Sequence, residues 1–423
     1  MVKKIGAAAM TALLFMGVIS GCSGKDKYSD IKTTKNDSDA PRLFITAKDV
    51  SYDEESMSDK YLEFVFGAGK EFCSGSDENL MISPASVFFA MELAASGAQG
   101  DTLDEMSAVF VPGATNEEAL NYASDYYRQL QDSGVIKVAN AEYFSEDFRE
   151  SIYEDYLEYV RENFDAEIMT GIDADKINAW VDEKTDGMIP EIIDGSDITP
   201  ETVAILLNAI AFDAKWEEEF DKDRIDEDSI FTNASGDEEK VTLMGSDEDI
   251  YFETDLATGF MKYYDGDDYA FVAILPKDET VSANDFLTEF TADDYREFID
   301  SMSSEDVKAT TPEFEYDYEN RDVIDILEAM GIETAFGDGA DFSNMASMDA
   351  FISKIIHKTH ISLDRKGTKA AASTAVIMTK NAAVEPYESS QKIVCLDRPF
   401  AYMIVETDNM TPVFMGTVNS ING

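Results

Sequence analysis

Asp364-Arg365-Lys366-Gly367-Thr368-Lys369-Ala370-Ala371-Ala372-Ser373-Thr374-Ala375-Val376-Ile377-Met378-Thr379-Lys380-Asn381-Ala382-Ala383 is the stretch on which the fold of this chain turns. A Gly-Thr pair is followed by small residues from Ala370 to Ala375, then by Val376, Ile377 and Met378. The alanines favour helix, whereas Ser373, Thr374, Val376 and Ile377 favour strand. From Gly367 through Met378 no Pro or Asp blocks either state, and no bulky side chain hinders entry into a packed sheet. Taken alone the stretch reads as an Ala-rich surface helix, helix being the commoner regular state. Taken with its flanks, it reads as a segment that can be a solvated loop in one state and a buried strand in another. The rest of the chain decides between them.

The chain opens with Lys3 and Lys4 before an apolar run from Ile5 to Ile19. That run falls short of the ~20 residues of a membrane-spanning helix. It ends in Ile19-Ser20-Gly21-Cys22, the small-residue cleavage pattern of a secretory signal. A Cys directly after such a site resembles a bacterial lipoprotein box, so residues 1–21 are expected to be removed and Cys22 to carry lipid. Each acyl CH₂ buried in a bilayer adds ~0.8 kcal/mol of anchoring. The expected location is extracellular, lipid-anchored at a bacterial cell surface. Residues 22–45 mix both charges without apolar periodicity, which reads as a flexible tether. Residues 46–423 form the remainder, with no linker or internal repeat, and are expected to be one large domain.

Among 423 residues, 87 are acidic and 33 basic, for a net charge of −54 spread along the chain. Nucleic-acid binding wants a basic footprint and is excluded. The three cysteines and two histidines make neither a disulfide framework nor a zinc site. With Cys22 set aside, Cys73 in an apolar helix and Cys395 in an apolar strand are expected to be buried free thiols. No His-Glu-x-x-His, Gly-x-Ser-x-Gly or phosphate-loop motif occurs. Asp265-Gly266-Asp267-Asp268 begins like a calcium loop but lacks its terminal Glu, and reads as a hairpin turn. No metal or cofactor is expected.

Periodicity predicts helices over 58–72, from Pro84 to about Ser96, around Leu103–Phe110, and over 152–164, 175–184 and 322–330, the last stopped by Gly331. Ser83 is placed to cap the second, with Pro84 in its first turn. Strands are expected over 135–144, 270–275, 307–314, 354–363, 400–406 and 413–418. Val203–Phe212 is apolar apart from Asn208 and reads as a fully buried central strand. Helices first, strands last, is an α+β pattern.

Several blocks then fall in a meaningful order. They are Asn79-Leu80-Met81-Ile82-Ser83-Pro84-Ala85-Ser86, Gly97-Ala98-Gln99-Gly100-Asp101-Thr102, Val138–Ala141, Ile177–Ile189, Asn208–Phe212 with Lys215-Trp216, Ala340–Ser343, and His357-Lys358-Thr359. Lys366–Ala375, Asp397-Arg398-Pro399-Phe400 and Phe414–Val418 close the series. As an ordered set they resemble the serpin family, across nearly everything after the tether. The resemblance implies three β-sheets, eight or nine helices, an exposed reactive loop, and a monomer that inhibits serine proteases without being an enzyme. A target protease attacks the loop and forms an acyl-enzyme. The cut loop then enters the central sheet as a new strand and drags the protease along. Loop insertion of this kind is a switching transition that releases strain stored in the uncut chain.

The resemblance assigns Gly367, Thr368, Lys369, Ala370, Ala371, Ala372, Ser373, Thr374 and Ala375 to the hinge, where small side chains suit sliding between strands. It places Ser83, Ser86, Asn208 and His357 in a polar cluster under the sheet opening, and Trp216 where insertion begins. Alone, each of these would pass as a helix cap, a buried amide, a core histidine or a core tryptophan. Relatives use about seventeen residues from the loop base, ~56 Å of strand at ~3.3 Å each. Counting from Arg365 makes Asn381–Ala382 the reactive bond by length, with Lys380–Asn381 one residue earlier. Departures from the family pattern are Arg365 and Lys369, where Glu is common, and Asp213-Ala214 in place of a Lys-Gly pair. Two other classes compete with this one. A non-inhibitory serpin acting as a surface binding module would carry bulky, charged or Pro residues in its hinge. A solute-binding lipoprotein would show repeated strand-helix units.

Overall fold

A computed structural model of the protein describes residues 50–200, 202–368 and 391–422. Hinge residues 369–375, the expected reactive bond at Lys380, Asn381 and Ala382, and Cys22 with the signal and tether lie outside the described residues.

The first half is helical. Helix α1 (Glu54–Cys73) leads to the short strand β1 (Leu80–Ile82), then α2 (Pro84–Gly97), α3 (Gly100–Phe110) and α4 (Asn116–Asp132). Ser83 caps α2, its side chain accepting from the Ser86 N–H, and Pro84 fills the first turn, as expected. Helix α2 is apolar nearly all round and is buried along its length beneath β-strands. Tyr61 and Phe64 of α1, Phe88 of α2 and Phe110 of α3 interlock, with ring centroids 5.8 Å apart between Tyr61 and Phe64 and 4.8 Å apart between Phe64 and Phe110. Such packing contributes beyond area burial alone.

Next come β2 (Ile136–Phe144), α5 (Glu146–Arg149), α6 (Glu154–Phe164), β3 (Glu167–Thr170), α7 (Ala174–Lys184), β4 (Ala204–Phe212) and β5 (Ala214–Lys215). They are followed by β6 (Ile225–Thr232), β7 (Glu238–Glu253), β8 (Ala257–Tyr263), β9 (Tyr269–Pro276), α8 (Ala283–Glu289) and α9 (Ala292–Asp300). The chain continues through β10 (Ser303–Pro312), β11 (Phe314–Asn320), α10 (Val323–Met330), β12 (His357–Asp364), β13 (Gly367–Thr368), β14 (Lys392–Cys395), β15 (Phe400–Glu406) and β16 (Pro412–Val418). The described residues thus hold ten α-helices and three sheets, in keeping with the three sheets and about eight or nine helices that the resemblance implies. Gly331 ends α10 at a positive φ of 113°, a conformation that favours glycine. The 265–268 segment is the turn of the β8–β9 hairpin.

One sheet has nine strands, ordered β1-β16-β15-β9-β8-β7-β10-β14, with β6 also on β7. The second is β3-β2-β4 and the third β11-β12-β13-β5. Strand β5 follows β4 across Asp213, so the two smaller sheets meet there and diverge below it.

Four expectations need correction. Val203–Phe212 is not a fully buried central strand: β4 pairs with β2 along one edge only among the described residues, and Ala204, Ile205 and Leu206 are half-buried. The run is apolar because it borders a cleft. The expected 307–314 strand is two strands, β10 and β11, which break at Glu313 and enter different sheets. The 354–363 strand begins only at His357, since residues 351–356 line the cleft instead of pairing. Cys73 is buried, and burial pushes its thiol up to about 12, but Cys395 is half-buried because its strand β14 is at a sheet edge.

Candidate functional site: the cleft between β4 and β12

The cleft runs between strand β12 and the edge of β4 that has no pairing strand among the described residues, and its two ends differ. At one end β13 is wedged in. Leu363 pairs with Thr368 and Asp364 with Gly367 on the β12 side, while Lys215 pairs with Gly367 and Ala214 with Thr368 on the β5 side, all antiparallel. The turn that delivers β13 is local chemistry. Asp364 Oδ1 accepts from the N–H groups of Lys366 at 2.7 Å and Gly367 at 3.2 Å, a side-chain-built turn of the kind Asp favours. Gly367 is required by close approach: a Cβ there would lie 2.2 Å from the Ala214 carbonyl oxygen.

Trp216 holds this end together. Its indole N–H donates to the Asp364 carbonyl at 2.9 Å and its backbone N–H to that of Lys366 at 2.9 Å. Its ring stacks on Tyr264 with centroids 4.4 Å apart, and the Tyr264 hydroxyl shares a 2.7 Å hydrogen bond with Thr368. Behind the rings, Lys262 lies 5.6 Å above Trp216 and 4.7 Å above Phe220, paired with Glu248 at 3.0 Å. Burial raises the Glu248 carboxyl, against the pull of Lys262. Arg365, where the resemblance leads one to expect Glu, pairs with Glu219 at 2.5 Å. Next to the wedge, only about 10 Å³ remains open, bordered by Ile210, Phe212, Thr359 and Thr368.

Further along, the cleft widens into a cavity of about 110 Å³ lined by Met91, Ala94, Leu206, Asn208, Ile355 and His357, among others. Ser86 also lines it. Of the expected polar cluster, the structure brings Ser83 and His357 into direct contact: the Ser83 N–H donates to His357 Nε2 at 3.1 Å. The Ser83 hydroxyl donates to the Val413 carbonyl at 2.9 Å and accepts from the Ser86 N–H at 3.1 Å. His357 is buried with the Phe72 ring 5.9 Å away, and burial holds its imidazole down at about 4, so it is a neutral acceptor at pH 7. Asn208 turns the other way. Its amide donates to Asn140 Oδ1 at 2.9 Å, directly across the β2–β4 pair, and its own Oδ1 is buried with no partner among the described residues. Thus Ser83, Ser86 and His357 form one linked group, and Asn208 faces them across the cavity tied to β2.

Sequence reasoning does not single out Asn140 or Tyr264 as site residues. Asn140 is visible only as part of the Val138–Ala141 block, with no role attached to it. Tyr264 has no sequence signal beyond being aromatic at a hairpin.

The geometry is that of a sheet parted along one seam with a strand started at one end. The family model described as Serpin (serine protease inhibitor) matches residues 60–421. This chain belongs to the serpin family. An uncharacterised serpin-like protein of Methanosarcina mazei is 30% identical over 429 residues, covering 99% of this chain and 97% of its own. Serpin B6 of Pongo abelii is 28% identical over 375 residues, covering 84% of this chain and 97% of its own. The crystal structure of a thermophilic serpin, tengpin, in the native state matches with a TM-score of 0.77 at 33% identity, over 92% of this chain and 97% of that one. The serpin family is one of protease inhibitors, not proteases, so a protease-inhibitor-type function attaches to this serpin at the level of the family.

Proposed function

We propose that this serpin is a suicide inhibitor of serine proteases that traps the acyl-enzyme by inserting its cleaved loop into the cleft between β4 and β12. The observation that carries the reading is the wedge: β13 is hydrogen-bonded on both sides at one end of a seam whose flanking strands do not pair further along among the described residues. Its register points down the seam. Six residues on from Thr368 is Thr374, six back from Leu363 is His357, and six back from Ala214 is Asn208. A continued strand would therefore carry the Thr374 hydroxyl between Asn208, whose oxygen has no partner among the described residues, and His357. Ser83, Ser86, Asn208 and His357 would act as the polar joint that parts and closes again around the entering strand.

The covalent step is ordinary acyl transfer. The protease serine adds to the Asn381 carbonyl, the bond to the Ala382 nitrogen breaks, and that nitrogen leaves with a proton from the protease. Asn381 remains as an ester on the protease. Hydrolysis would free the enzyme, so insertion must distort the protease first. A cut nearer Met378 gives a short strand and weak distortion, and one beyond Val384 leaves slack, which favours Asn381 or Lys380. The test is a panel of serine proteases followed by denaturing gels and mass spectrometry. An adduct resistant to denaturant is expected, with a released peptide starting at Ala382 or Asn381. Cleavage by every protease tried with no adduct would overturn the trapping mechanism in favour of a non-inhibitory binding module.

Lipid on Cys22 would hold the inhibitor at the outer side of a bacterial membrane. The basic start, short apolar run and small-residue cleavage site support this reading. Cys22→Ser should release the protein from the membrane fraction with inhibition intact, and a variant still retained there would refute the anchor.

A further inference from the structure

Beyond the polar cluster, the far end of the cleft is closed by charge. Asp197 lies in a short turn ahead of β4, capped by Asp194. Its side chain is only 4% exposed, a poor place for a carboxylate without partners. The partners come from the other flank. The Arg321 guanidinium, just after β11, donates to both carboxylate oxygens, at 2.8 and 3.0 Å. The Lys354 ammonium, three residues before β12, donates to Oδ1. The Asp194 backbone N–H donates to Oδ2 at 2.9 Å. Burial works to raise this carboxyl, but Lys354, the Asp194 N–H and Arg321 together hold it down at about 2. Arg321 also pairs with Glu319 of β11, which fixes the guanidinium to that flank.

Asp197 and Lys354 both line the 110 Å³ cavity. The three residues therefore join the β3-β2-β4 side of the seam to the β11-β12 side, where the strands themselves do not pair among the described residues. A strand entering the seam must part its flanks by about 4.8 Å, the spacing of neighbouring strands. Hydrogen bonds of 2.8 and 3.0 Å cannot persist through such a displacement unless the side chains follow it.

We propose that Asp197, gripped by Arg321 and Lys354, is an electrostatic clasp that keeps the far end of the cleft shut and sets how readily the inserting strand can pass. The proposal rests on the insertion reading for its functional half and on geometry alone for its structural half. Asp197 is a positioning residue: it touches neither the protease nor the reactive bond. The clasp acts at a defined depth. A strand continuing the β13 register would reach the level of His357 at Thr374, and the residues after Thr374 would then have to pass Lys354, three residues before β12. Insertion past the polar cluster thus meets the clasp before the full strand is in.

The experiment compares the intact protein with Asp197→Asn, which keeps the shape and removes the charge, and with Lys354→Met, which removes one partner and leaves Arg321. Native-state hydrogen exchange is followed in residues 196–208 and 352–358, with β15 and β16 as the internal control. Charge-assisted hydrogen bonds of this kind predict a rise of about tenfold or more in the two segments for Asp197→Asn, with a smaller rise for Lys354→Met. Unchanged exchange there, or an equal rise in β15 and β16, overturns the clasp, whether or not any protease is trapped. The second readout is the partition between adduct and cleaved, unadducted serpin with a protease that the parent traps. Asp197→Asn should shift it toward adduct, because the flanks part more easily. Faster exchange with an unmoved partition overturns the claim that the clasp governs insertion. A parent that forms no adduct counts against the trapping mechanism, and the exchange result still decides the clasp.

Discussion

At its Thr368 end the cleft is nearly filled, with about 10 Å³ open beside a two-residue wedge, a stacked Trp-Tyr pair and several backbone hydrogen bonds. Past Asn208 and His357 it opens to about 110 Å³ and is spanned by ionic contacts at Asp197. One seam is therefore closed by two kinds of force. The wedge end relies on short-range packing and directional hydrogen bonds, which a strand of the right shape can extend in the same register. The far end relies on charges across a gap, which can be released but not extended. A strand entering the seam, as proposed above, would thus be templated at one end and resisted at the other.

The contrast between the two ends breaks most severely if the wedge cannot form. Thr368→Arg would put a guanidinium where a buried hydroxyl meets Tyr264, and Ala372→Pro would remove a donor from the incoming strand. Both are expected to turn the inhibitor into a substrate: cleavage continues and the adduct band disappears. Unchanged trapping by both variants would remove insertion from the mechanism.

A second test sharpens the midpoint between the two ends. His357 is buried neutral, with its imidazole held at about 4 against 6.5 when unfolded. The unfolded chain takes up the proton first, so its contribution is fully present above about pH 6.5 and is lost as pH falls toward about 4. The loss is worth about 3 kcal/mol by the usual conversion. Glu92 and Glu142, raised by burial to about 8, act in the opposite direction, losing stability as pH rises toward 8. The informative quantity is accordingly the difference from His357→Gln. The parent's melting temperature relative to that variant should fall between pH 6.5 and 4 and stay level above 7. A difference flat across the whole range would show that His357 does not stay neutral.

The smallest expected effect is at the wedge's own hydrogen bond. Tyr264→Phe keeps the ring on Trp216 but leaves Thr368 without its 2.7 Å partner, at a cost of about 1 kcal/mol. Exchange at the Gly367 and Thr368 amides should quicken while the Asp197 end is unaffected. Equal quickening at both ends would mean that the seam opens as one unit.

Much of this is legible in the sequence, for reasons tied to particular residues. Ser83-Pro84 announces a capped helix start, Gly331 a helix end, and the ordered blocks from Asn79 to Val418 the family. Strands β6 and β7 are not foreseen, because Asp226-Glu227-Asp228 and Glu238-Glu239 dilute their apolar alternation with solvent-facing acids. Helix α4 escapes notice for a similar reason: its apolar face is mostly Tyr and Ala. The β4 run is apolar as expected, but period alone cannot tell a strand with two neighbours from one bordering a cleft. Asp197 is invisible, one of 87 acids in a loop, since its meaning comes from two cations more than a hundred residues away in sequence.

The edge of β4 that is unpaired among the described residues carries a consequence for the protein in a crowd. An unpaired strand edge is a template for any extended chain, including one from another copy of the same molecule. Here each copy bears a net charge of −54, and two such surfaces repel one another over about 8 Å at physiological ionic strength. The acid coat thus gives colloidal protection to a molecule with a strand edge of this kind. Salt or acid that thins this coat exposes that edge to its neighbours.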